Sequence, residues 1–141
     1  GMLQDLAARY ANLGIVTSAA EIFTDIELWD EAVECYRRAG KESLAEKIVR
    51  ERLADIETPR MWSALGDITN DPQFYYKALD LSKGRFANAH VALGKYHFDK
   101  GELAEAGVHY KAALKVKPLM PRAWFRFGTI SMQLGEWDAA L

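Results

Sequence analysis

The sequence is short of three features: it has one cysteine, little net charge and no long hydrophobic run. A single cysteine, Cys35, excludes an internal disulfide framework. The formal net charge of -2 argues against a protein whose whole surface binds nucleic acid or anionic lipid. No apolar run approaches the roughly 18 residues of a membrane span, and no signal-peptide pattern is visible. We therefore expect a cytoplasmic or nuclear protein with no membrane or nucleic-acid partner.

What the sequence does contain is a repeat with a period of 34 residues. A shift of that length places Gly94 on Gly128 and Gly101 on Gly135. In the most regular copy the pattern is carried by His90, Leu93, Gly94, His97, Ala106, Tyr110, Ala113 and Pro118. The period and the order of small and aromatic residues resemble the tetratricopeptide repeat. The pattern predicts an all-α fold, a tetratricopeptide-repeat superhelical solenoid of antiparallel helix pairs.

The small residues of this copy have a packing role. Gly94 and Ala106 let the two helix backbones approach, since a larger side chain would push them apart. Gly101 is expected at the turn between the helices, and Pro118 ends the second helix because proline cannot continue it. One helix pair cannot bury its apolar face alone, so we expect neighbouring repeats to complete the core.

The chain is predicted to form a single tetratricopeptide-repeat solenoid over residues 1–141. Its parts are degenerate helical repeats at 1–58, a shortened repeat at 59–86, a regular repeat at 87–120 and a truncated repeat at 121–141. Because the pattern stops within a repeat, we expect the chain to be a fragment of a larger protein.

The degenerate part is expected to hold separate helices at about 2–13 and 42–56. Between them, Ala20 and Phe23 fit the first helix of a pair. The segment that begins at Trp29 fits the second helix, because its aromatic and alanine spacing matches the regular pattern.

The shortened repeat has lost residues at its turn. Its glycine and alanine slots, Gly66 and Ala78, are 12 residues apart, against 19 in the regular repeat. Asp71 can cap the following helix, and Pro72 suits a first helical position. We therefore expect a short first helix and a second helix over about 72–82.

The segment from Trp62 to Ser82 carries a more specific resemblance. It combines Leu-Gly-Asp on a helix, the clipped turn and Tyr-x-Lys-Ala-x-x-Leu-Ser before a regular repeat. This combination resembles the tetratricopeptide repeat protein 27 family over about residues 62–141, and more loosely upstream. The resemblance implies a repeat region of a larger intracellular protein linked to Hsp90-assisted assembly of protein complexes, including spliceosomal ones, and in yeast to cell-wall integrity. It implies no catalytic residues.

A partner is expected to bind in the groove that the first helices of stacked repeats line. Counting from each Leu-Gly position, the groove-facing residues include Asn88, Val91, Lys95, Phe98, Arg122, Phe125, Arg126 and Thr129. Arg122 and Arg126 share one helix face at i, i+4 spacing, and Lys95 comes from the neighbouring helix. These three cations could hold an acidic or carboxylate-bearing extended peptide by charge-assisted hydrogen bonds. We therefore predict a partner-binding groove at Arg122, Arg126, Lys95, Asn88 and Phe125.

A chaperone-tail clamp is a sharper hypothesis for the same groove. In tetratricopeptide co-chaperones that hold the C-terminal carboxylate of Hsp70 or Hsp90, three successive repeats supply five residues. Arg122 and Arg126 match two of those positions, but Ala92, Ser63 and Asp67 stand at the other three. Asp67 would repel a carboxylate, so a chaperone connection is expected to use another surface.

Other interpretations of the chain remain open. One alternative is that the cations form an ordinary solvated face and that the repeats act as a structural spacer between binding regions of the parent protein. An RNA strand in the groove is a further alternative that the charge balance does not favour. Because the last repeat is truncated, apolar groups such as Phe127 and Trp137 are expected to be poorly covered and to promote self-association.

No pattern points to catalysis, a cofactor or a metal. The sequence has no Gly-rich phosphate loop, zinc spacing or nucleophile motif. His90 and His97 lie about two helical turns apart and could share a face that suggests a metal site. Both occupy aromatic packing slots, however, so we interpret them as packing residues, and His109 is assigned no role with them. The four tryptophans likewise occupy repeat slots and are interpreted as core.

Overall fold

The computed structural model describes residues 2–140, with no side-chain description at 6–11 and 136–140. The described residues form eight helices and no strand: α1 (Met2–Asp25), α2 (Trp29–Arg38), α3 (Glu42–Asp55), α4 (Pro59–Thr69), α5 (Gln73–Ser82), α6 (Ala87–Asp99), α7 (Leu103–Val116) and α8 (Pro121–Ala140). Helices adjacent in the chain pack as pairs, as in a tetratricopeptide-repeat solenoid. The predicted all-α fold class is confirmed. None of the described helices is both long and apolar enough to cross a membrane.

The chain divides into two compact units, residues 1–57 and 58–141. In the first unit, α1 packs on α2 and α2 packs on α3. Small aliphatic side chains fill the described core of this unit: Ala20, Ala32, Val33, Ala45 and Val49. Such side chains let helix axes approach closely. The predicted division of the chain into successive repeats stays a prediction.

Helix α1 corrects one expectation. A separate helix over about 2–13 was expected, whereas α1 continues without a break to Asp25. Gly14 lies within this helix, and a side-chain carbon added there would meet no atom within 4 Å. An interior glycine costs a helix only about 1 kcal/mol, and no proline follows to stop it. The α3 helix, at Glu42–Asp55, lies where it was predicted.

In the second unit, each core cluster joins the second helix of one pair to the first helix of the next. Tyr75, Ala78 and Leu79 of α5 pack with Ala89 and Leu93 of α6. A second cluster repeats this arrangement one pair later, with Ala106, Tyr110 and Leu114 of α7 against Ala123 and Ile130 of α8. The expectation that neighbouring repeats complete each other's core is confirmed for this unit.

Within each pair, a glycine lies directly under a tyrosine ring. A side-chain carbon added at Gly94 would lie 2.8 Å from the ring of Tyr110. An added carbon at Gly66 would lie 2.8 Å from the ring of Tyr75. Both distances are below van der Waals contact, so the glycines permit the close approach that the sequence predicted for Gly94. Ala106 is fully buried beside the same contact.

The turns follow the predicted chemistry. Gly101 has φ +79°, a left-handed conformation that glycine adopts without steric cost. The backbone N–H of Glu102 donates to the carbonyl of His97 across this turn, at 2.9 Å. In the shortened pair, the Asp71 carboxylate accepts from the backbone N–H of Gln73 at 3.0 Å. Helix α5 therefore begins and ends within one residue of its predicted bounds.

Helix α8 differs from the prediction at Gly135. The equivalent Gly101 ends a helix, whereas α8 passes through Gly135 and continues to Ala140. A glycine inside a helix costs only about 1 kcal/mol, so the intrahelical hydrogen bonds of α8 can continue through it.

The apolar groups of α8 are also distributed differently from the prediction. Phe127 is partly buried and packs against the second core cluster. Trp124 was interpreted as core, but it is half exposed, and its indole N–H donates to the carbonyl of Pro118 at 2.6 Å. Phe125 and Met132 are the other large exposed apolar side chains of α8 among the described residues. The expectation for Trp137 falls on a side chain outside the described residues.

Candidate functional site

The α6–α8 pocket is an open concavity of about 430 Å³ on the second unit. It is lined by Phe98, Pro121, Arg122, Phe125, Arg126 and Thr129. Pro121 begins α8, where its fixed φ suits the first helical position. The helical spacing then places Arg122, Phe125, Arg126 and Thr129 on the same side of α8. Three of the five predicted site residues, Arg122, Phe125 and Arg126, therefore meet in one pocket.

Arg126 and Phe98 line this pocket and contact each other. The guanidinium carbon of Arg126 lies 4.4 Å from the centroid of the Phe98 ring, which is a cation–π contact between α8 and α6. The positive charge of Arg126 also acts on the hydroxyl of Tyr110: burial raises the pKa of Tyr110, and Arg126 partly opposes that rise. Arg126 is half-buried, so its side chain is held in place before any partner binds.

The rim of the pocket combines a cation with an exposed aromatic ring. Arg122 is exposed, and Phe125 leaves 78% of its surface accessible. A peptide carboxylate could pair with the guanidinium groups while an apolar side chain of the same peptide covers Phe125.

Two predicted residues lie outside the pocket. Lys95 and Asn88 are both exposed on α6, but neither lines it. Phe98, one turn after Lys95, takes the place in the pocket that α6 supplies. The sequence analysis placed Phe98 in the groove but gave it no binding role. Its contact with Arg126 joins α6 to α8, and that contact depends on how α8 packs against α7, which the sequence does not show.

The side chains at the clamp positions of α4 are engaged within the protein. Ser63 is buried, and the Asp67 carboxylate accepts a short hydrogen bond from the hydroxyl of Tyr75. This geometry is consistent with the sequence argument against a carboxylate clamp.

A second cluster contains all three histidines of the chain, which lie together between α6 and α7. The rings of His97 and His109 stack with 5.5 Å between centroids and 1° between planes. The ring of His90 lies 5.5 Å from that of His109. His90 and His97 therefore pack against an aromatic ring, as expected. The role of His109 was missed, although its position four residues after Glu105 on α7 gives an i, i+4 pair.

The hydrogen bonds of the cluster fix its protonation pattern. Nε2 of His90 lies 3.0 Å from the carbonyl oxygen of Gly84. Because a carbonyl only accepts, Nε2 of His90 carries a proton and the Nδ1 of the neutral ring has a lone pair. That Nδ1 lies 3.2 Å from Nδ1 of His109, which must therefore donate. Nε2 of neutral His109 is then left with an unprotonated lone pair.

The environment of His109 also favours its neutral form. Burial lowers the pKa of His109, and the charges that His90 and His97 would carry lower it further. The Glu105 carboxylate opposes this effect but is a smaller contribution.

Comparison with known proteins places this fold in a class. A family model of the tetratricopeptide repeat matches residues 87–118, the span of the regular repeat. This match identifies residues 87–118 as a tetratricopeptide repeat, and the paired helices and the glycine–tyrosine contacts agree with a tetratricopeptide-repeat solenoid fold. The surfaces of such proteins bind protein partners, and the class typically acts as a non-enzymatic scaffold.

The more specific resemblance is also confirmed. The chain is 36% identical over 131 residues, 93% of its length, to the tetratricopeptide repeat protein 27 homolog of Dictyostelium discoideum. It is 33% identical over 143 residues, 96% of its length, to the essential for maintenance of the cell wall protein 1 of Saccharomyces cerevisiae. A repeat-containing protein of Schizosaccharomyces pombe is 36% identical over 138 residues, 97% of the chain. The matches cover 15%, 16% and 17% of these relatives, so the chain spans about one sixth of their length.

Proposed function

We propose that this chain is a non-catalytic protein–protein interaction scaffold that binds an extended acidic segment of a partner in the α6–α8 pocket. The observation that carries the proposal is the meeting of Arg122 and Arg126 with the exposed ring of Phe125 at one concavity. The occupant that fits this pocket has a carboxylate beside an apolar side chain.

The charge chemistry favours a peptide over a small anion. Two guanidinium groups, spaced one helical turn apart, match carboxylates spaced along an extended chain. The Phe98 and Phe125 rings provide apolar area that a small anion would leave in contact with water. Lys95, exposed one turn before Phe98 on α6, is proposed to extend the contact along the peptide, with Asn88 further along the same helix.

The wider role is proposed from the relatives. The chain is proposed to be one region of a larger protein, since its relatives are about six times longer. We place that protein in chaperone-linked assembly of protein complexes, in the cytoplasm or nucleus, with Hsp90-linked machinery among its partners. The yeast relative's name associates that protein with cell-wall maintenance. Because Asp67 is unsuited to a carboxylate clamp, such a chaperone link would use a surface other than the clamp positions.

The test is a binding titration with fluorescent extended peptides in which acidic and apolar residues alternate. We expect Arg122→Glu/Arg126→Glu to abolish binding. The matched control is Lys111→Glu/Lys115→Glu, which makes the same charge change at the same i, i+4 spacing on exposed positions of α7 outside the pocket. This control should bind as the wild type does, because the screened charge of distant residues contributes little.

A second variant, Phe125→Ala, distinguishes the loss of a contact with the peptide from a disturbance of the fold. Arg126 contacts Phe98, so its replacement could loosen α8, whereas Phe125 is largely exposed and can be replaced by alanine without loss of core packing. Phe125→Ala should weaken binding while helicity stays unchanged by circular dichroism. Equal loss of binding in the two double variants would indicate a nonspecific charge effect. Unchanged binding in all three would favour the alternative role of a structural spacer.

Self-association through α8 is a further part of the proposal. Trp124, Phe125 and Met132 are exposed along this helix. A second copy could cover these groups, since apolar burial contributes about 25 cal/mol per Å². Light scattering at increasing concentration should show a dimer that Met132→Glu shifts toward monomer, and a monomeric wild type at high concentration would contradict this part.

A further inference from the structure

We propose that His97, Glu105 and His109 form a binding site for a divalent transition-metal ion, with Zn²⁺ the best fit. The site lies between α6 and α7 and is independent of the α6–α8 pocket. It departs from the expectation of no metal, which rested on the absence of a recognisable spacing in the sequence. Packing of the two helices brings together residues that sequence spacing alone does not connect.

The ligand atoms are already close. One atom of each residue, an imidazole nitrogen or a carboxylate oxygen, lies within 4.8 Å of the other two. In tetrahedral coordination with bonds of about 2.0–2.2 Å, ligand atoms lie about 3.4 Å apart. Binding would close the gap by rotation of the exposed Glu105 side chain together with reorientation of the parallel His97 and His109 rings.

The hydrogen bonds prepare His109 as a ligand. Its Nδ1 proton is donated to His90, which in turn donates to the carbonyl of Gly84. This relay leaves Nε2 of His109 unprotonated, which is the form that binds a metal. Histidine ligands in metal sites generally donate their other ring N–H to a carbonyl, carboxylate or similar acceptor, which fixes the tautomer and the ring orientation. We assign His90 as a positioning residue for His109.

His97 supplies a second, independent observation. Its Nδ1 is buried and makes no hydrogen bond with the described residues. The carboxylate of Glu102 lies 3.5 Å from this atom, which is a charge contact only when the imidazole is protonated. The other nitrogen, Nε2, lies 3.5 Å from the hydroxyl of Tyr76. We therefore assign Nδ1 as the ligand atom, because a metal ion would give it the partner that it lacks.

The donor set indicates the class of ion. Two imidazole nitrogens and one carboxylate suit Zn²⁺ and its first-row neighbours rather than Mg²⁺ or Ca²⁺, which take oxygen ligands. Three protein ligands leave a fourth position for water or for a side chain of a partner. A bound ion would link α6 to α7 directly, so metal binding should stabilise this helix pair.

The experiment is a calorimetric titration of the chelator-treated, untagged 141-residue chain with ZnCl₂, repeated with CoCl₂ to follow the visible absorption of tetrahedral Co²⁺. The wild type should bind one Zn²⁺ per chain. Glu105→Gln and His109→Gln should each weaken binding by about tenfold or more, because even residues behind a ligand change metal affinity by about 10–100-fold. The matched control is Glu51→Gln, which removes an exposed carboxylate on α3 that is not part of the site and should bind within about threefold of the wild type.

Three results would overturn the proposal: no stoichiometric Zn²⁺ on the wild type, unchanged affinity in Glu105→Gln, or equal loss of binding in the control Glu51→Gln. If His109→Gln fails to fold by circular dichroism, Glu105→Gln decides the outcome, because Glu105 is exposed and makes no core contact. The spectrum of bound Co²⁺ adds a geometric test. A weak octahedral spectrum would contradict the tetrahedral geometry proposed for the bound ion.

Discussion

The helix pairs α4–α5 and α6–α7 make the same glycine–tyrosine contact, but they differ in the length of helix between that contact and the three-residue turn. Gly66 and Tyr75 are nine residues apart, whereas Gly94 and Tyr110 are sixteen apart, yet the added-carbon distance to the ring is 2.8 Å in both. The shorter pair removes residues from the ends of both helices and keeps the point where they cross. The crossing contact therefore defines the repeat, and the length of helix between that contact and the turn can vary.

The two pairs differ in what surrounds the tyrosine hydroxyl. In the shortened pair, Tyr75 donates to Asp67, the residue after its glycine. In the regular pair the residue after the glycine is Lys95, and Tyr110 instead lies near the charge of Arg126 from α8. The hydroxyl of Tyr75 thus finds its acceptor within the shortened pair, whereas the hydroxyl of Tyr110 lies near a charge from the next helix.

The largest expected effect tests whether the helix packing of the α4–α5 pair and that of the α6–α7 pair contribute equally to the free energy of unfolding. Leu65→Ala and Leu93→Ala each remove a fully buried side chain beside the glycine of their pair. Each should lower the free energy of unfolding by about 2–5 kcal/mol, because lost transfer energy adds to the cost of the cavity. Urea unfolding followed by tryptophan fluorescence measures both. A cost below about 1 kcal/mol for Leu65→Ala alone would show that the shortened pair is loosely packed.

A smaller effect is expected at the glycines. Gly66→Ala and Gly94→Ala should each destabilise the chain by about 1–3 kcal/mol, since the new methyl group overlaps a buried tyrosine ring. Gly128 is the equivalent residue in α8, where an added carbon meets no atom within 4 Å.

Gly128→Ala is therefore the matched control for the glycine series. It should stabilise α8 by about 0.5–1 kcal/mol, because alanine is the better helix former. Thermal unfolding of the three variants shows directly whether each substitution stabilises or destabilises the chain. Stabilisation by Gly94→Ala would contradict the close approach described for α6 and α7.

A third prediction concerns the tyrosine hydroxyls. Tyr75→Phe removes the hydrogen bond to Asp67 and should cost about 0.5–1.5 kcal/mol, the net contribution of a typical hydrogen bond. Tyr110→Phe should cost less, because Lys95 occupies the place that corresponds to Asp67. Denaturant unfolding of the two variants measures the difference. Equal costs would show that the hydroxyl environments of the two pairs do not differ in energy.

The smallest expected effect is on pH dependence. The folded chain lowers the pKa of His109 from 6.5, and the groups that face it are Tyr76 of α5, His90 and His97 of α6 and Glu105 of α7. A lowered pKa means that the folded state favours the neutral ring. The stabilising contribution is therefore complete above about pH 6.5 and is lost as pH falls through the lower folded-state value.

Thermal unfolding between pH 5 and 7.5 with excess chelator tests this pH dependence. His109→Gln should flatten the acid side of the profile relative to the wild type. A profile that is unchanged by His109→Gln would assign the acid sensitivity to other groups. The chelator separates this titration from the proposed metal site, in which the same ring is a ligand.

Sequence reasoning succeeded where a residue has a strong local effect. Gly101 at a left-handed turn and Asp71 beside Pro72 mark helix ends through their own backbone chemistry. It failed where the outcome depends on what packs nearby. Gly14 and Gly135 have the same local preference as Gly101, but intact helices pass through both.

The candidate sites divide in the same way. Helical spacing along α8 predicted that Arg122, Phe125 and Arg126 share a face, and they line one pocket. The contacts of Arg126 with Phe98 and of His109 with His97 join different helices. Such pairs are set by the packing of α6, α7 and α8, which residue spacing in one sequence does not specify.

The most direct test of the central proposal is affinity capture from cell lysate with quantitative mass spectrometry. Three forms of the chain are compared: the wild type, Arg122→Glu/Arg126→Glu and the control Lys111→Glu/Lys115→Glu, each with full helicity. The account predicts a defined set of proteins that the wild type and the control capture and that the pocket variant loses. Capture of the same set by all three forms would contradict it, because the partner would then bind without the α6–α8 pocket.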